Sequence, residues 1–167
     1  MRYTSTRNGE VSASFEEAIC SGYAPDGGLF VPETLPKIDE ATLREWSALS
    51  YPQLAQCILR LFVTSQEVSN ADLSSISDAG CAGFDNPSHA VPVRKLGSSL
   101  YVAELFYGPT FCFKDLGMRA VILFLSHFCT LRRQSITLLV STTGDTGPAA
   151  VQAVSDVNNP LLKIVVH

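Results

Sequence analysis

The chain has 167 residues, of which 46% are hydrophobic and 17% are charged, and its formal net charge is −4. This composition excludes intrinsic disorder, which requires low hydrophobicity and high net charge. The sequence pI of about 5.3 excludes the basic surface of a nucleic-acid-binding protein. No run approaches the roughly 18 consecutive apolar residues of a membrane-spanning helix, so no membrane association is predicted.

The cysteines and histidines predict neither disulfides nor a metal site. The five cysteines are widely spaced with no C-x-x-C pair, and the three histidines have no partner at i, i+4. Buried thiols that pack as small apolar groups are the better interpretation. The first seven residues contain no apolar segment of the kind that a secretory signal needs. Together these features predict a cytoplasmic protein.

Residues 1–95 are predicted to form a mostly helical domain. The segments 14–17 and 50–53 have the pattern of capping boxes that begin helices. Asp39 is predicted to cap a further short helix. Residues 69–72 are typical of another helix start. Residues 26–32 predict a glycine turn that leads into a short extended segment.

Residues 96–167 have a different pattern, in which apolar strands alternate with helices. The predicted strands are 100–106, 136–140 and 161–166. The long helix 113–131 is expected to align Leu116, Ala120, Leu123, Phe124 and His127 on one face. The next helix is expected to use Ala149, Ala150, Ala153 and Val154. This βαβαβ order predicts an α/β protein that begins an open parallel sheet with helices on both faces.

The first chemically unusual loop is the segment 108–115, which reads GPTFCFKD. Its lysine, Lys114, is expected at the start of a helix, after two phenylalanines and a cysteine. The positive end of a helix dipole and apolar neighbours both disfavour the charged ammonium, which makes the amine a better nucleophile toward a carbonyl. That is the property of a Schiff-base lysine. The alternative is an ordinary surface lysine that pairs with Asp115.

The second unusual loop is the segment 141–147, which reads STTGDTG between a strand and a helix. Its backbone N–H groups and threonine hydroxyls suit a carboxylate or a phosphate. Asp145 would repel such an anion unless it caps the helix or faces a polar group of a cofactor. The alternative is an Asp-capped turn without a ligand. The segment is neither a Walker P-loop nor a complete dinucleotide-binding fingerprint.

The two loops follow consecutive strands, so a parallel sheet would place them side by side at one edge. A lysine that can form a Schiff base beside an anion-binding turn indicates a pyridoxal 5'-phosphate enzyme that acts on an amino acid. No metal is predicted.

The segments 108–115 and 144–147 resemble the two best-known signatures of threonine synthases, and residues 3–7 and 22–32 resemble the opening of that family. The resemblance implies a fold-type II pyridoxal-phosphate enzyme that converts O-phospho-L-homoserine and water to L-threonine and phosphate. It implies that Lys114 is catalytic and binds the cofactor. Contacts with the cofactor are expected from Phe113 and Asp145. The residues expected to bind the phosphorylated amino-acid substrate are Thr142, Thr143, Gly144 and Thr146.

Two alternatives to this function remain open on sequence grounds. A threonine synthase-like phospholyase would share these motifs and release a different product, such as a keto acid. A truncated, non-catalytic binding protein would retain the motifs without turnover. Threonine synthases are more than twice this long, so the chain is expected to be the front portion of a larger enzyme, with little turnover by itself. The sequence predicts no oligomeric state.

Overall fold

The computed structural model describes residues 1–167 and confirms an α/β protein with six α-helices and small sheets. Its strands are β1 (Tyr3–Ser5), β2 (Ser12–Ala13), β3 (Phe30–Pro32), β4 (Val93–Lys95), β5 (Tyr101–Ala103), β6 (Ile136–Val140) and β7 (Leu162–Val166). Its helices are α1 (Phe15–Ser21), α2 (Glu40–Trp46), α3 (Tyr51–Arg60), α4 (Asn70–Cys81), α5 (Lys114–Arg132) and α6 (Thr146–Val157), with a 3₁₀ turn at Pro87–His89.

The chain forms two compact units. The first comprises Met1–Leu49 and Gln53–Ser75, and the second comprises Ser50–Pro52 and Ile76–His167. Both candidate loops lie in the second unit. The division into domains at residue 95 stays a prediction.

The first unit contains a three-stranded antiparallel sheet in the order β2-β1-β3. Helix α1 begins with the predicted capping box, because the Ser14 hydroxyl accepts from the Glu17 N–H at 3.2 Å and the Glu17 carboxylate accepts from the Ser14 N–H at 2.7 Å. Gly22 ends this helix with a φ of 72°, a conformation that glycine adopts at low cost. The predicted start and end of α1 are both confirmed.

The other predicted helices begin where the sequence placed them. Asp39 accepts the N–H of Thr42 at 2.8 Å and caps α2. At the beginning of α4, the Ser69 hydroxyl accepts the N–H of Asp72 at 3.1 Å. In each case a side-chain oxygen satisfies a backbone donor that has no partner inside the helix.

The second unit contains the parallel pair β6–β7, in register from Ile136 opposite Leu162 to Val140 opposite Val166. Helix α6 connects the two strands and packs against α5. Its buried residues are small: Gly147, Ala149, Ala150 and Ala153. These helices cover one face of the pair, while Leu139 and Val165 lie exposed on alternate positions of the strands. The predicted strand–helix–strand order is therefore confirmed for residues 136–166.

The first predicted strand, 100–106, is confirmed only over Tyr101–Ala103, and its predicted place in the parallel sheet is wrong. This strand pairs antiparallel with Val93–Lys95 instead of joining β6. The hairpin loop is short, so closing it costs little entropy compared with pairing to a distant strand. An ion pair of 2.8 Å between Arg94 and Glu104 lies beside the strands. Local pairing therefore decides the partner of this strand.

The most deeply buried face of helix α5 shares only Phe124 with the predicted face, whose other residues are half-buried. The predicted face was Leu116, Ala120, Leu123, Phe124 and His127, whereas the buried residues are Asp115, Arg119, Ile122, Phe124, Leu125, Phe128 and Cys129. The buried Arg119 forms an ion pair with Asp156 of α6 and donates to the Gly80 carbonyl at 3.0 Å. Charged side chains with such partners occupy the buried face, and an apolar pattern does not reveal them.

All five cysteines are free thiols, and Cys81, Cys112 and Cys129 are buried. Burial raises the pKa of the Cys81 and Cys129 thiols. No three His, Cys, Asp or Glu side chains come together where they could hold a metal ion. None of the helices combines the length and apolar character that crossing a membrane requires.

Candidate functional site

Lys114 is the first residue of helix α5, as predicted. Its Nζ atom lies 4.5 Å from the centre of the Phe113 ring, within the range of a cation–π contact. The Phe113 ring is exposed, and Lys114 is half-buried. The alternative of a lysine paired with Asp115 is wrong, because the Asp115 carboxylate is completely buried and accepts from Thr110.

The loop before Lys114 closes on the Asp115 carboxylate. The Thr110 N–H donates to Oδ2 at 2.9 Å, and the Thr110 hydroxyl donates to Oδ1 at 2.7 Å. Gly108 lies against the same side chain, since a Cβ atom at Gly108 would lie 2.7 Å from the Asp115 Cβ. A glycine at this position is required by the close approach of the side chain.

Two residues between the glycine and the lysine have opposite exposures. Phe111 has a φ of 58°, which is unusual for an aromatic residue, and its side chain is 75% exposed. The following residue, Cys112, is buried. Its Sγ accepts the Lys114 N–H at 3.5 Å and donates to Asp145 Oδ2 at 3.7 Å. This thiol therefore connects the lysine loop with the second candidate loop.

In the second loop, several polar groups bond within the loop or to the neighbouring strand. The Gly144 N–H donates to the Thr142 hydroxyl at 3.1 Å, and the Thr142 N–H donates to the His167 carbonyl at 3.0 Å. Gly147 lies close to the same threonine, since a Cβ atom there would lie 3.0 Å from its Cγ2. The beginning of this turn is therefore held against the carboxyl end of β7.

The other predicted residues of this loop lie nearer to the surface. Thr143, Gly144 and Asp145 are exposed, and Thr146 is the half-buried first residue of α6. Asp145 precedes α6 but makes no capping hydrogen bond with its side chain. The alternative of an Asp-capped turn is therefore wrong, and the Asp145 carboxylate faces the Cys112 thiol instead.

Two residues that the fold brings to these loops were not predicted from the sequence. Cys112 lies between two phenylalanines, so its pattern indicated only an apolar core residue. His167 follows β7 and, together with residues 141–143, lines an open hollow of about 600 Å³. Ligands bind beyond the carboxyl ends of parallel strands, so the position of His167 directly after a predicted strand could have indicated that it lies beside the second loop.

Comparison with known proteins identifies the family of this chain. A family model described as the threonine synthase N terminus matches residues 2–80. The chain is 43% identical over 154 residues to threonine synthase-like 2 of Xenopus laevis, and the alignment covers 92% of this chain and 32% of that protein. It is 37% identical over 162 residues to threonine synthase of Saccharomyces cerevisiae, and that alignment covers 89% of this chain and 32% of that protein. The chain belongs to the threonine synthase family.

The fold agrees with a solved member of the threonine synthase family. The crystal structure of pyridoxal-phosphate-bound threonine synthase from Brucella melitensis matches with a TM-score of 0.91 and 28% identity. The match covers 99% of this chain and 35% of that chain. The chain corresponds to the N-terminal portion of the family and spans about a third of the length of the curated relatives it matches.

The two loops carry the chemical groups that an aldehyde and an anion require. Lys114 supplies the primary amine that an aldehyde requires, and it is the only Lys or Arg residue in the segments 108–115 and 141–147. Any anion bound at the second loop would therefore be held by hydroxyls and by the N–H groups at the start of α6. The Asp145 carboxylate suits a polar group that donates a hydrogen bond.

Proposed function

We propose that Lys114 binds pyridoxal 5'-phosphate covalently, in an enzyme that converts O-phospho-L-homoserine and water to L-threonine and phosphate. One observation supports this most directly: Cys112 connects the first turn of the lysine helix to Asp145 of the threonine-rich turn. The Lys114 amine and the threonine-rich loop that we propose to bind an anion are therefore on connected segments of the second unit. Membership of the threonine synthase family supports the choice of cofactor and reaction.

The proposed role of Lys114 has two parts, attachment and proton transfer. When bound, the cofactor supplies an electron sink that stabilises negative charge on the substrate carbon. The Lys114 amine holds the cofactor before the substrate arrives, and afterwards it takes up and returns a proton at that carbon. Phe113, whose ring lies beside the Lys114 Nζ, is proposed to pack near the cofactor. Asp145 is proposed to accept a hydrogen bond from it.

The proposed substrate contacts lie on the second loop. Thr143 presents an exposed side chain, and Thr146 begins α6, where the backbone N–H groups point toward the loop. Together with Thr142 and Gly144, these groups are proposed to bind the carboxylate of a small phosphorylated amino acid. The dipole of α6 favours a negative charge at this position.

Covalent trapping tests the attachment of the cofactor. The 167-residue chain is incubated with pyridoxal phosphate, reduced with borohydride, digested and analysed by mass spectrometry. We expect Lys114 to be labelled well above Lys37, Lys95 and Lys163, which act as internal controls within the same sample. The Lys114→Ala variant controls for labelling elsewhere. Equal labelling of all four lysines in the wild-type chain would contradict the proposal.

A second candidate function is that of a threonine synthase-like phospholyase. The observation in its favour is the 43% identity to threonine synthase-like 2, compared with 37% to the yeast threonine synthase. Analysis of the products that a full-length version forms from O-phospho-L-homoserine, with its Lys114→Ala variant as the blank, separates the two candidates. L-Threonine with phosphate supports the first, whereas a keto acid with phosphate supports the second.

A further inference from the structure

We infer that Asp115 and Thr110 are positioning residues for Lys114. The buried Asp115 carboxylate, held by Thr110, fixes the rotation of the first turn of α5 and with it the direction in which Lys114 projects. The inference rests on the proposed function and deepens it, since it assigns a purpose to the loop that carries the lysine.

The first step is the burial of the carboxylate. The Asp115 side chain has 0% exposure and no cation among its partners. A buried carboxylate is costly unless hydrogen bonds replace the water that it loses. Here the two donors are the N–H and the hydroxyl of one residue, Thr110, at 2.9 and 2.7 Å. Asp115 also lies in the first turn of α5, where the helix dipole favours a negative charge.

The second step is the rigidity of the loop around this carboxylate. Gly108 is buried against Asp115, and a Cβ atom at Gly108 would lie 2.7 Å from the Asp115 Cβ and 2.9 Å from its Cγ. The Phe111 N–H donates to the Gly108 carbonyl at 3.0 Å and closes the turn. The carboxylate is therefore enclosed by the backbone on one side and bonded on the other, so Asp115 has one orientation.

The third step connects Asp115 to its neighbour. Successive residues of a helix are separated by about 100° around the axis, so fixing the direction of Asp115 also fixes that of Lys114. The residue before the helix, Phe113, makes no capping hydrogen bond with its side chain. The Cys112 Sγ accepts the Lys114 N–H at 3.5 Å, and the contact between Asp115 and Thr110 holds the next residue of this turn.

The test measures how selectively Lys114 is labelled by pyridoxal phosphate and borohydride, as a ratio to Lys163 in the same sample. Thr110→Val removes the hydroxyl donor while it keeps the side-chain shape, and Thr110→Ser restores the hydroxyl. Asp115→Asn removes the charge of the acceptor. Asp156→Asn is the matched control, because it breaks the ion pair with Arg119 on the same helix without touching the loop.

We expect the ratio to fall at least about tenfold in Thr110→Val and Asp115→Asn, as for the loss of a hydrogen bond to a charged group. Thr110→Ser should keep the wild-type ratio, and so should Asp156→Asn even if its thermal unfolding midpoint falls. Circular dichroism verifies that each variant is folded, and if Asp115→Asn fails to fold, the two Thr110 variants decide the outcome.

Two results would overturn the inference and leave the proposed function in place. One is selective labelling of Lys114 that is unchanged in Thr110→Val and Asp115→Asn. The other is an equal loss in Asp156→Asn, which would indicate a general effect of helix stability. By contrast, a wild-type chain that labels Lys114 no faster than Lys163 would overturn the proposed function, and the inference with it.

Discussion

The two candidate loops differ in how they are held. In the segment 108–115, a buried carboxylate is enclosed by a glycine and bonded twice by a threonine. In the segment 141–147, the hydrogen bonds are short-range, run to the end of β7 or reach Cys112 of the first loop, and the middle of the loop is exposed. The first loop is thus closed around one side chain, whereas the second loop leaves hydroxyl and amide groups near the surface, which is the division of roles that we propose.

The largest expected difference concerns the glycines of the two loops. Gly108→Ala would place a Cβ atom against Asp115, so we expect a loss of about 1–3 kcal/mol in the free energy of unfolding. Gly144→Ala is the matched control, because nothing lies within 4 Å of a Cβ atom there, and it should change stability by less than about 0.5 kcal/mol. Denaturant unfolding measures both. Similar losses in the two variants would remove the contrast between the loops.

The next effect concerns the contact that joins the loops. Cys112 donates to Asp145 at 3.7 Å, so a double-mutant cycle with Cys112→Ala and Asp145→Asn should give a coupling energy of about 0.5–1.5 kcal/mol in unfolding experiments. Cys112→Ser preserves a donor and an acceptor, so it should lose less unfolding free energy than Cys112→Ala. The buried Cys129 supplies a control, since Cys129→Ala paired with Asp145→Asn should show additive losses. Additivity in the first cycle would mean that the loops are energetically independent.

A smaller effect is expected within the exposed loop. The Thr142 hydroxyl accepts the Gly144 N–H at 3.1 Å in a solvent-exposed position. Thr142→Val should therefore cost only about 0.5 kcal/mol in the free energy of unfolding, because water replaces the lost acceptor. Thr110→Val removes a hydroxyl that serves a buried carboxylate, so its loss should be clearly larger. The reverse order of the two losses would contradict the proposed division of roles.

A carboxylate in the first unit, Asp26, also accepts hydrogen bonds from one hydroxyl and one backbone N–H, but it is more exposed than Asp115. The Ser5 hydroxyl donates to the Asp26 carboxylate at 2.7 Å, and the Gly28 N–H donates to it at 2.9 Å. These two bonds hold the pKa of the Asp26 carboxyl below its ordinary value of 3.8. A carboxyl whose pKa is lower in the folded state contributes stability above its unfolded-state pKa and loses it as the pH falls through the folded-state pKa.

We therefore expect the free energy of unfolding to decrease below pH 3.8 in the wild-type chain and to decrease less in Ser5→Ala. Unfolding measured over an acidic pH series tests this difference. Ser75→Ala is a suitable control, since its hydroxyl donates to a backbone carbonyl and to no carboxylate. Identical pH dependence in the wild type and Ser5→Ala would show that the Ser5 hydroxyl does not stabilise the charged form.

Local sequence patterns predicted the helices of the first unit well. Ser14, Asp39 and Ser69 each cap or begin a helix where expected, because a cap depends only on residues three or four positions away. The strands 136–140 and 162–166 were also predicted almost to the residue. Their apolar runs are short and bounded by turn residues, which leaves few alternative assignments.

Long-range contacts were not predictable in the same way. The hairpin partner of residues 101–103 depends on a competition between a nearby strand and a distant one. The buried face of α5 includes Asp115 and Arg119, whose burial depends on Thr110 and Asp156. The burial of Cys112 was predictable from its apolar neighbours, whereas its contact with Asp145 was not, because only the fold brings that carboxylate beside the sulfur.

The sequence by itself determined that an apolar, weakly charged chain folds as an α/β protein with Lys114 at a helix start and a threonine-rich turn after a strand. It did so because caps, strand runs and glycine turns are read over a few neighbouring residues. Only the tertiary structure decided that Asp115 turns away from Lys114 toward Thr110, and that the two loops meet through Cys112. These contacts depend on which groups remain buried together once the helices pack, and no local pattern specifies that.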